Sequence, residues 1–415
     1  MKKTDSNSSK PDLRLATLFR GNIAVIASSN AVNGFGTGIF STYVSLYFTS
    51  IGGDPITLGL MVSLSSIIQF LMLWLGGFIA DRYGRRRIIV VAAFYAILLP
   101  ALYALIRDWR IFIVVAVIGA FAAVSSPASH AIVADSIPAE KRTAGISTLQ
   151  VASTFPTVFS PLIGGWLIKV YGLQDGFRLA YACTAATALI SAVILLLFLR
   201  ETRLQRVGQA PKPTINLIAS IRANLSTRSL HSLTALLASY GLVAFANGLV
   251  GYYYSLYAKD IIGITVVDWG IITFLQLLLT VFLKIPGGWA SDRFGKKKVM
   301  IISILACTPF AVLFTFSHSF FQAALVIILL TVAGIYYAPS YEALQADITP
   351  AEVRGGVTAF WDISGIVATA LGAPLGGLLF QTIGPAVPFY AFAAVEVSAA
   401  LLILVAVKEP QQTEH

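Results

Sequence analysis

The chain reads as an all-α membrane protein, with twelve transmembrane helices arranged as two pseudo-symmetric six-helix bundles. Three observations predict this. The first is composition: 57% of the 415 residues are hydrophobic and 12% are charged, with a mean hydropathy of +0.80. No water-soluble fold of this length hides so much apolar side chain, so lipid must act as the solvent. The second is a series of apolar stretches, each near or above the ~20 residues that a bilayer requires. The third is an internal repeat. Gly77-x-x-x-Asp81-Arg82-Tyr83-Gly84-Arg85-Arg86-Arg87 returns as Gly288-x-x-x-Asp292-Arg293-Phe294-Gly295-Lys296-Lys297-Lys298, 211 residues later. A charged hairpin repeated once per half, between membrane-length helices, implies two copies of one unit and points to a transporter.

Taken in order, residues 1–20 form a polar tail carrying Lys2, Lys3, Lys10, Arg14 and Arg20. No cleavable signal is expected, because the apolar stretch that follows runs for about 30 residues without a small-residue cleavage site. Six apolar segments, 21–50, 57–80, 88–106, 111–134, 144–172 and 178–199, make a first bundle over 21–199. Residues 200–229 form a polar loop with six basic residues and one acid, Glu201, in which Pro211 and Pro213 discourage a continuous helix. Segments 230–258, 266–290, 299–317, 320–346, 356–383 and 386–407 make a second bundle over 230–407, before a short tail, 408–415.

The net charge of +10 is distributed for a membrane rather than for nucleic acid. With both termini cytoplasmic, 23 of the 29 Lys and Arg fall on the cytoplasmic side. The outer ends hold only Arg107, Arg110, Lys169, Arg178 and Lys259. The positive-inside rule thus places this multi-pass chain in the cell membrane with its hairpins inward. Cys183 and Cys307 each lie in an apolar stretch and are read as small buried hydrophobes, not as a disulfide.

A second echo joins spans 4 and 10. Pro127-x-x-His130-x-x-x-Ala134-Asp135-x-x-Pro138-x-Glu140-x-Arg142 matches Pro339-x-x-Glu342-x-x-x-Ala346-Asp347-x-x-Pro350-x-Glu352-x-Arg354 at an offset of 212. A third pairs Pro161-Leu162-Ile163-Gly164-Gly165 with Pro374-Leu375-Gly376-Gly377. Both halves start and end on one side, so the repeat is parallel. Gly76–Gly77, Gly164–Gly165, Gly287–Gly288 and Gly376–Gly377 mark where spans 2, 5, 8 and 11 can approach a neighbour, since membrane helices pack closely at small residues.

These motifs resemble the major facilitator superfamily, and the resemblance covers essentially the whole chain. It implies alternating access, with spans 2 and 11 and spans 5 and 8 facing each other between the halves. It also implies that the hairpins act as a cytoplasmic latch. Asp81 would accept hydrogen bonds from the N–H groups opening span 11 near Gly355–Gly356, and Asp292 from those opening span 5 near Thr143. A carboxylate there gains ~0.3–1 kcal/mol when exposed and up to ~2 when partly buried. Arg85 and Lys296 would then reach Asp135 and Asp347. The expected gate therefore comprises Gly77, Asp81, Arg82, Gly84, Arg85, Asp135 and Arg142 with Gly288, Asp292, Arg293, Gly295, Lys296, Asp347 and Arg354.

Charge inside the membrane is uneven. The cores of the first six spans lack Asp, Glu, Lys and Arg except Lys169 and Arg178 at outer ends, whereas the last six hold Lys284, Glu342, Asp362 and Glu396. Each costs at least ~2.5–3.5 kcal/mol at the bilayer centre unless paired, wetted or neutralised. Lys284 lies eight residues before Asp292 and Asp362 eight after Arg354, about 12 Å from the helix end at ~1.5 Å per residue. Lys284 is expected to pair with Glu342 or Asp362, either leaving the other acid free to carry a proton or forming with both a static ion-pair network that holds the half together. His130, matching Glu342 in the first half, is either a packing histidine or a group that titrates near neutrality. Glu396 falls on a helix that is peripheral in the resembled fold, so it is read as a protonated or internally hydrogen-bonded acid.

The resemblance places the substrate cavity between spans 1, 4, 7 and 10. Candidate lining residues are Asn30, Asn33, Asn247, Tyr253, Tyr254, Tyr337 and Tyr341, with Trp361 on span 11. Aromatic faces with scattered amides and hydroxyls suit an amphipathic or apolar organic molecule. Part of the tyrosine cluster at 252–257 is expected to be interfacial belt.

Within the family the chain looks closest to the drug-exporter-like branch, with departures. Ser160 stands where the Gly-Pro-x-x-Gly-Gly pattern has its first glycine, span 4 has no arginine after Arg110, and span 1 has no carboxylate. The usual proton machinery of the first half is missing, which shifts any coupling to the second. The expected function is secondary transport, as proton-coupled export or as uptake of a small metabolite; a non-transporting receptor or lipid-moving protein is the alternative of another class. No metal-ligand cluster, nucleophile with a His–acid pair or phosphate loop supports an enzyme, and no ATP-binding segment supports primary pumping. Expected partners are a small-molecule substrate and the bilayer, with no nucleic acid; the only cofactor considered is a proton gradient, and the chain is read as a monomer.

Overall fold

The computed structural model describes residues 21–137, 149–202, 227–349 and 354–408. Among these residues the structure is helical, with no strands. Twelve helices are long and apolar enough to cross a membrane. The expectations for residues 1–20, Arg142, Thr143, most of the central loop and residues 409–415 fall outside the described residues.

Spans 2, 3, 6, 9 and 12 are Pro55–Tyr83, Arg85–Tyr103, Leu173–Phe198, Lys296–Phe314 and Val387–Ala406. Spans 8 and 11, Val266–Phe294 and Arg354–Thr382, stay continuous through Pro286 and Pro374. The other spans are interrupted. Span 1 breaks into Asn22–Ser41 and Val44–Ser50, and span 7 into Thr227–Val250 and Tyr254–Asp260. Both breaks carry a buried tyrosine, Tyr43 and Tyr253, 210 residues apart. Span 4 passes from Trp109–Gly119 through a 3₁₀ stretch, Ala120–Ser125, into Ser126–Ser136. Span 5 runs to Tyr171 through a 3₁₀ stretch, Phe155–Phe159, and Ser160–Tyr171; span 10 joins Phe320–Gly334 to Tyr337–Ile348. Pro127, Pro156 and Pro339 accompany these irregular turns, where a missing N–H leaves the helix ladder incomplete.

Each half packs as one bundle, and the two meet where span 2 lies against span 11 and span 5 against span 8. The same face of each half carries the charged hairpin. There Gly84 and Gly295 turn the chain at φ +92°, a conformation that side-chain-bearing residues rarely adopt. That constraint explains the glycine in both hairpin motifs. On the opposite face, Asp54 caps span 2, accepting from the Thr57 N–H at 2.8 Å. At the equivalent place Thr265 caps span 8 through the Asp268 N–H at 3.2 Å.

Candidate functional site

On the hairpin face the basic residues divide their work. Arg85 pairs with Asp135 and Lys296 with Asp347, tying each hairpin to the end of span 4 or span 10 in its own bundle. The next residue caps a different helix. Arg86 donates to the carbonyls of Leu196 and Leu199 at 2.7 and 2.6 Å. Lys297 donates to those of Leu404 and Val407 at 2.9 and 2.7 Å. A cation on the last carbonyls of spans 6 and 12 satisfies groups the helix cannot and complements its dipole. Arg82 and Arg293 are exposed and lie over rings of their own helices, Tyr83 at 5.7 Å and Trp289 at 5.0 Å.

Asp81 and Asp292 are exposed. Among the described residues neither holds a hydrogen bond or an ion pair. Gly77 has open space where a side chain would be, and Gly76 packs instead on the Val124 backbone of span 4. Of this glycine pair, Gly76 thus marks a close approach as expected, to span 4 of its own bundle, and Gly77 does not. The surroundings of Gly288 and the side chain of Arg354 lie outside what is described.

The opposite face is sealed by a duplicated clasp. The Tyr43 hydroxyl donates to the Pro161 carbonyl at 2.5 Å, and the Tyr253 hydroxyl to the Ala373 carbonyl at 2.6 Å and the Pro55 carbonyl at 3.2 Å. Beside each tyrosine a glycine from the other half closes the seam. Gly270 approaches Tyr43 and Pro161, and Gly59 approaches Ala373 and Pro374. Gly165 faces Val267, Gly377 faces Pro55, and the Ile56 N–H donates to Gln381 Oε1 at 3.3 Å. A second tyrosine pair anchors the same end, with Tyr47 donating to the Ile106 carbonyl at 2.9 Å and Tyr257 to the Thr315 carbonyl at 2.8 Å. Tyr43→Phe and Tyr253→Phe should each lower stability by ~0.5–1.5 kcal/mol, the usual net worth of one hydrogen bond. Thermal unfolding in detergent checks this, and an unchanged midpoint in both variants would count against the clasp.

Between the sealed face and the hairpins the second bundle holds a cavity of about 550 Å³. Asn247, Tyr254, Trp269, Gln276, Tyr337 and Glu396 are among its lining residues, and Lys284 stands on its wall. Asn30 is exposed and Asn33 half-buried on span 1. Three candidate lining residues are placed elsewhere. Tyr253 belongs to the clasp. Tyr341 and Trp361 are packed in the core of the second bundle, with Tyr341 stacked on Tyr240 at 4.8 Å and set edge-on to Trp361 at 5.5 Å. Sequence alone could not separate these cases, because an aromatic side chain fits a core, a seam or a cavity equally well.

Lys284 forms no ion pair among the described residues. Its Nζ reaches Gln150 Oε1 of span 5 at 3.4 Å, across the two halves. Glu342 and Asp362 are exposed, and Asp362 lies within electrostatic reach of His130 on span 4, also across the halves. The expected Lys284–carboxylate pair is thus replaced, among the described residues, by one polar contact between bundles, Lys284 to Gln150. Glu396 is 4% exposed and lines the cavity; among the described residues it has no hydrogen bond, which leaves the protonated form of the two that were expected. No group of His, Cys, Asp and Glu among the described residues could hold a metal ion.

Comparison with known proteins agrees with this duplicated geometry. One family model, the Major Facilitator Superfamily, matches twice, over residues 26–238 and 236–415. The chain belongs to that superfamily. It is 22% identical over 417 residues to Multidrug resistance protein MdtG of Proteus mirabilis (strain HI4320), spanning 95% of this chain and 98% of the relative. The fold is similar to that of a D-xylose-proton symporter (TM-score 0.75, 18% identity, 93% and 97% of the two chains). It is equally similar to a bacterial homolog of the human lysosomal transporter Spinster in an inward-facing and occupied conformation (TM-score 0.75, 15% identity, 92% and 96%). This superfamily member is a multi-pass membrane transporter, not an enzyme.

Proposed function

We propose that this protein is a secondary transporter of the cell membrane that exports a small amphipathic organic molecule by alternating access. The observation that carries this reading is the pairing of a sealed face with free latch residues. The tyrosine–glycine seam is closed while Asp81 and Asp292 stand unengaged, with a 550 Å³ cavity of mixed aromatic and polar lining between them. The excess of Lys and Arg on the hairpin face makes that face cytoplasmic, along with both termini. The state is then inward-facing. Export, rather than uptake, is supported by the full-length similarity to a protein named for multidrug resistance. Accumulation of a fluorescent amphiphile in everted vesicles, absent from vesicles carrying no transporter, tests the direction; accumulation only in whole cells would assign uptake.

The proposed coupling ion is the proton. Glu342 and Asp362, with His130 of the other half within electrostatic reach of Asp362, are the carriers that would exchange a proton with the cytoplasm in this state. Glu342→Gln or Asp362→Asn should abolish pH-gradient-driven transport in proteoliposomes while leaving downhill exchange measurable. Persistence of gradient-driven transport in both single variants would rule these carriers out.

A further inference from the structure

Glu396 is the acid that the transport cycle above leaves unused. It sits near the middle of span 12, ten residues from the helix end at Ala406, and is 4% exposed. Among the described residues it holds no hydrogen bond and no ion pair. Two hydroxyls share its surroundings. Tyr254 on span 7 and Tyr337 on span 10 lie within electrostatic reach of the carboxylate, and both hydroxyl oxygens are buried without a hydrogen-bond partner. All three residues line the same cavity.

A buried polar group without a partner costs ~1–3 kcal/mol, and a charged one more. Two such hydroxyls and an unpaired acid around one void at membrane depth describe a recess that a guest completes. An ionised Glu396 only accepts, so a guest that holds it in that form must carry donors and a positive charge; Lys284 stands on the same wall but forms no ion pair with it among the described residues. An alkylammonium group supplies both. The neighbouring walls suit the rest of such a molecule: Trp269 and Phe392 offer aromatic faces, and Ile304, Ile327 and Leu330 an apolar surface.

We propose that the cavity of the second bundle binds the ammonium group of an amphipathic amine, with Glu396 as its counter-ion and the Tyr254 and Tyr337 hydroxyls as its acceptors. This deepens the transporter reading by naming a substrate class. Binding is measured without transport, so the two readings can fail separately.

The experiment uses the full chain in lipid nanodiscs and three probes of similar shape: 2-phenylethylamine, 2-phenylethanol and 3-phenylpropanoate. Calorimetric titration should show the amine binding at least tenfold tighter than the alcohol, with no binding of the carboxylate. In Glu396→Gln, which keeps the side-chain shape, the amine should lose at least tenfold in affinity and the alcohol should be unchanged. Tyr337→Phe should weaken the amine by a smaller factor. If Glu396→Gln proves unstable, the comparison of amine with alcohol on the unaltered protein still decides. Equal binding of amine and alcohol, preference for the carboxylate, or an unchanged amine affinity in a folded Glu396→Gln overturns the proposal.

Discussion

Gly59→Leu should abolish transport while leaving the protein folded. A Cβ added at Gly59 would lie 2.5 Å from the Ala373 carbonyl oxygen and 2.6 Å from the Pro374 Cα. Both are backbone atoms of span 11, which cannot give way as a flexible side chain can. Spans 2 and 11 approach here because span 2 presents a glycine to the span 11 backbone, the usual route to close packing in membranes. Leucine fits only when the seam is open, so the variant is held in that state. A shift from 99:1 to 1:99 needs about 5.5 kcal/mol of differential stability, and an overlap of side chain with backbone along a whole helix pair supplies a penalty on that order. Initial rates in proteoliposomes with matched protein content should fall at least ~100-fold by the same reasoning. Gly270→Leu, whose added Cβ would lie 2.9 Å from the Pro161 carbonyl oxygen, should reproduce the effect through the symmetry-related seam. Normal rates in either variant would show that closure of this face is not required.

The second large effect is expected from Asp81→Asn combined with Asp292→Asn. In the present state both carboxylates are exposed and have no partner among the described residues, so the exchange costs this state nothing. In the alternate state each would cap a helix start on the opposite half. Each lost charge–dipole contact removes ~0.3–1 kcal/mol, or up to ~2 kcal/mol if partly buried. Two of them shift the balance by roughly threefold to several hundredfold toward the hairpin-open state, at ~1.4 kcal/mol per tenfold. Single-molecule distance measurements across the hairpin face should show that shift, with transport slowed in proportion. Unaltered populations would mean that the aspartates serve topology alone.

Twelve spans, two bundles and the hairpin ion pairs were legible in the sequence because the signals there are local or repeated. An 18-residue apolar run has one physical solution in lipid. The motif Asp81 to Arg87 returns closely enough to carry the family resemblance, and that resemblance implied the Arg85–Asp135 and Lys296–Asp347 pairs. What escaped the reading depends on helix rotation and on which face is closed. Tyr253 and Tyr254 are neighbours, yet one hydroxyl clasps a seam and the other is buried on the cavity wall. Gly76 and Gly77 are likewise adjacent, yet only Gly76 is packed. Glu396 was assigned to a peripheral helix, and its exposure to an internal cavity follows from the irregular path of spans 7 and 10, which periodicity cannot show. The symmetry of the tyrosine clasp was available in principle, since Tyr43 and Tyr253 lie 210 residues apart, within one residue of the 211-residue offset of the hairpins.

The central claim is that the two faces open and close reciprocally. Paired spin labels test it most directly, on a background with Cys183 and Cys307 replaced by serine. One pair, at Ile56 and Gln381, spans the tyrosine–glycine seam; the other, at Arg87 and Lys298, spans the hairpin face. On moving from substrate-free protein to saturating substrate with an opposed pH gradient, the seam distance should lengthen while the hairpin distance shortens in the same fraction of molecules. Distances that stay fixed, or that lengthen together, would contradict the account.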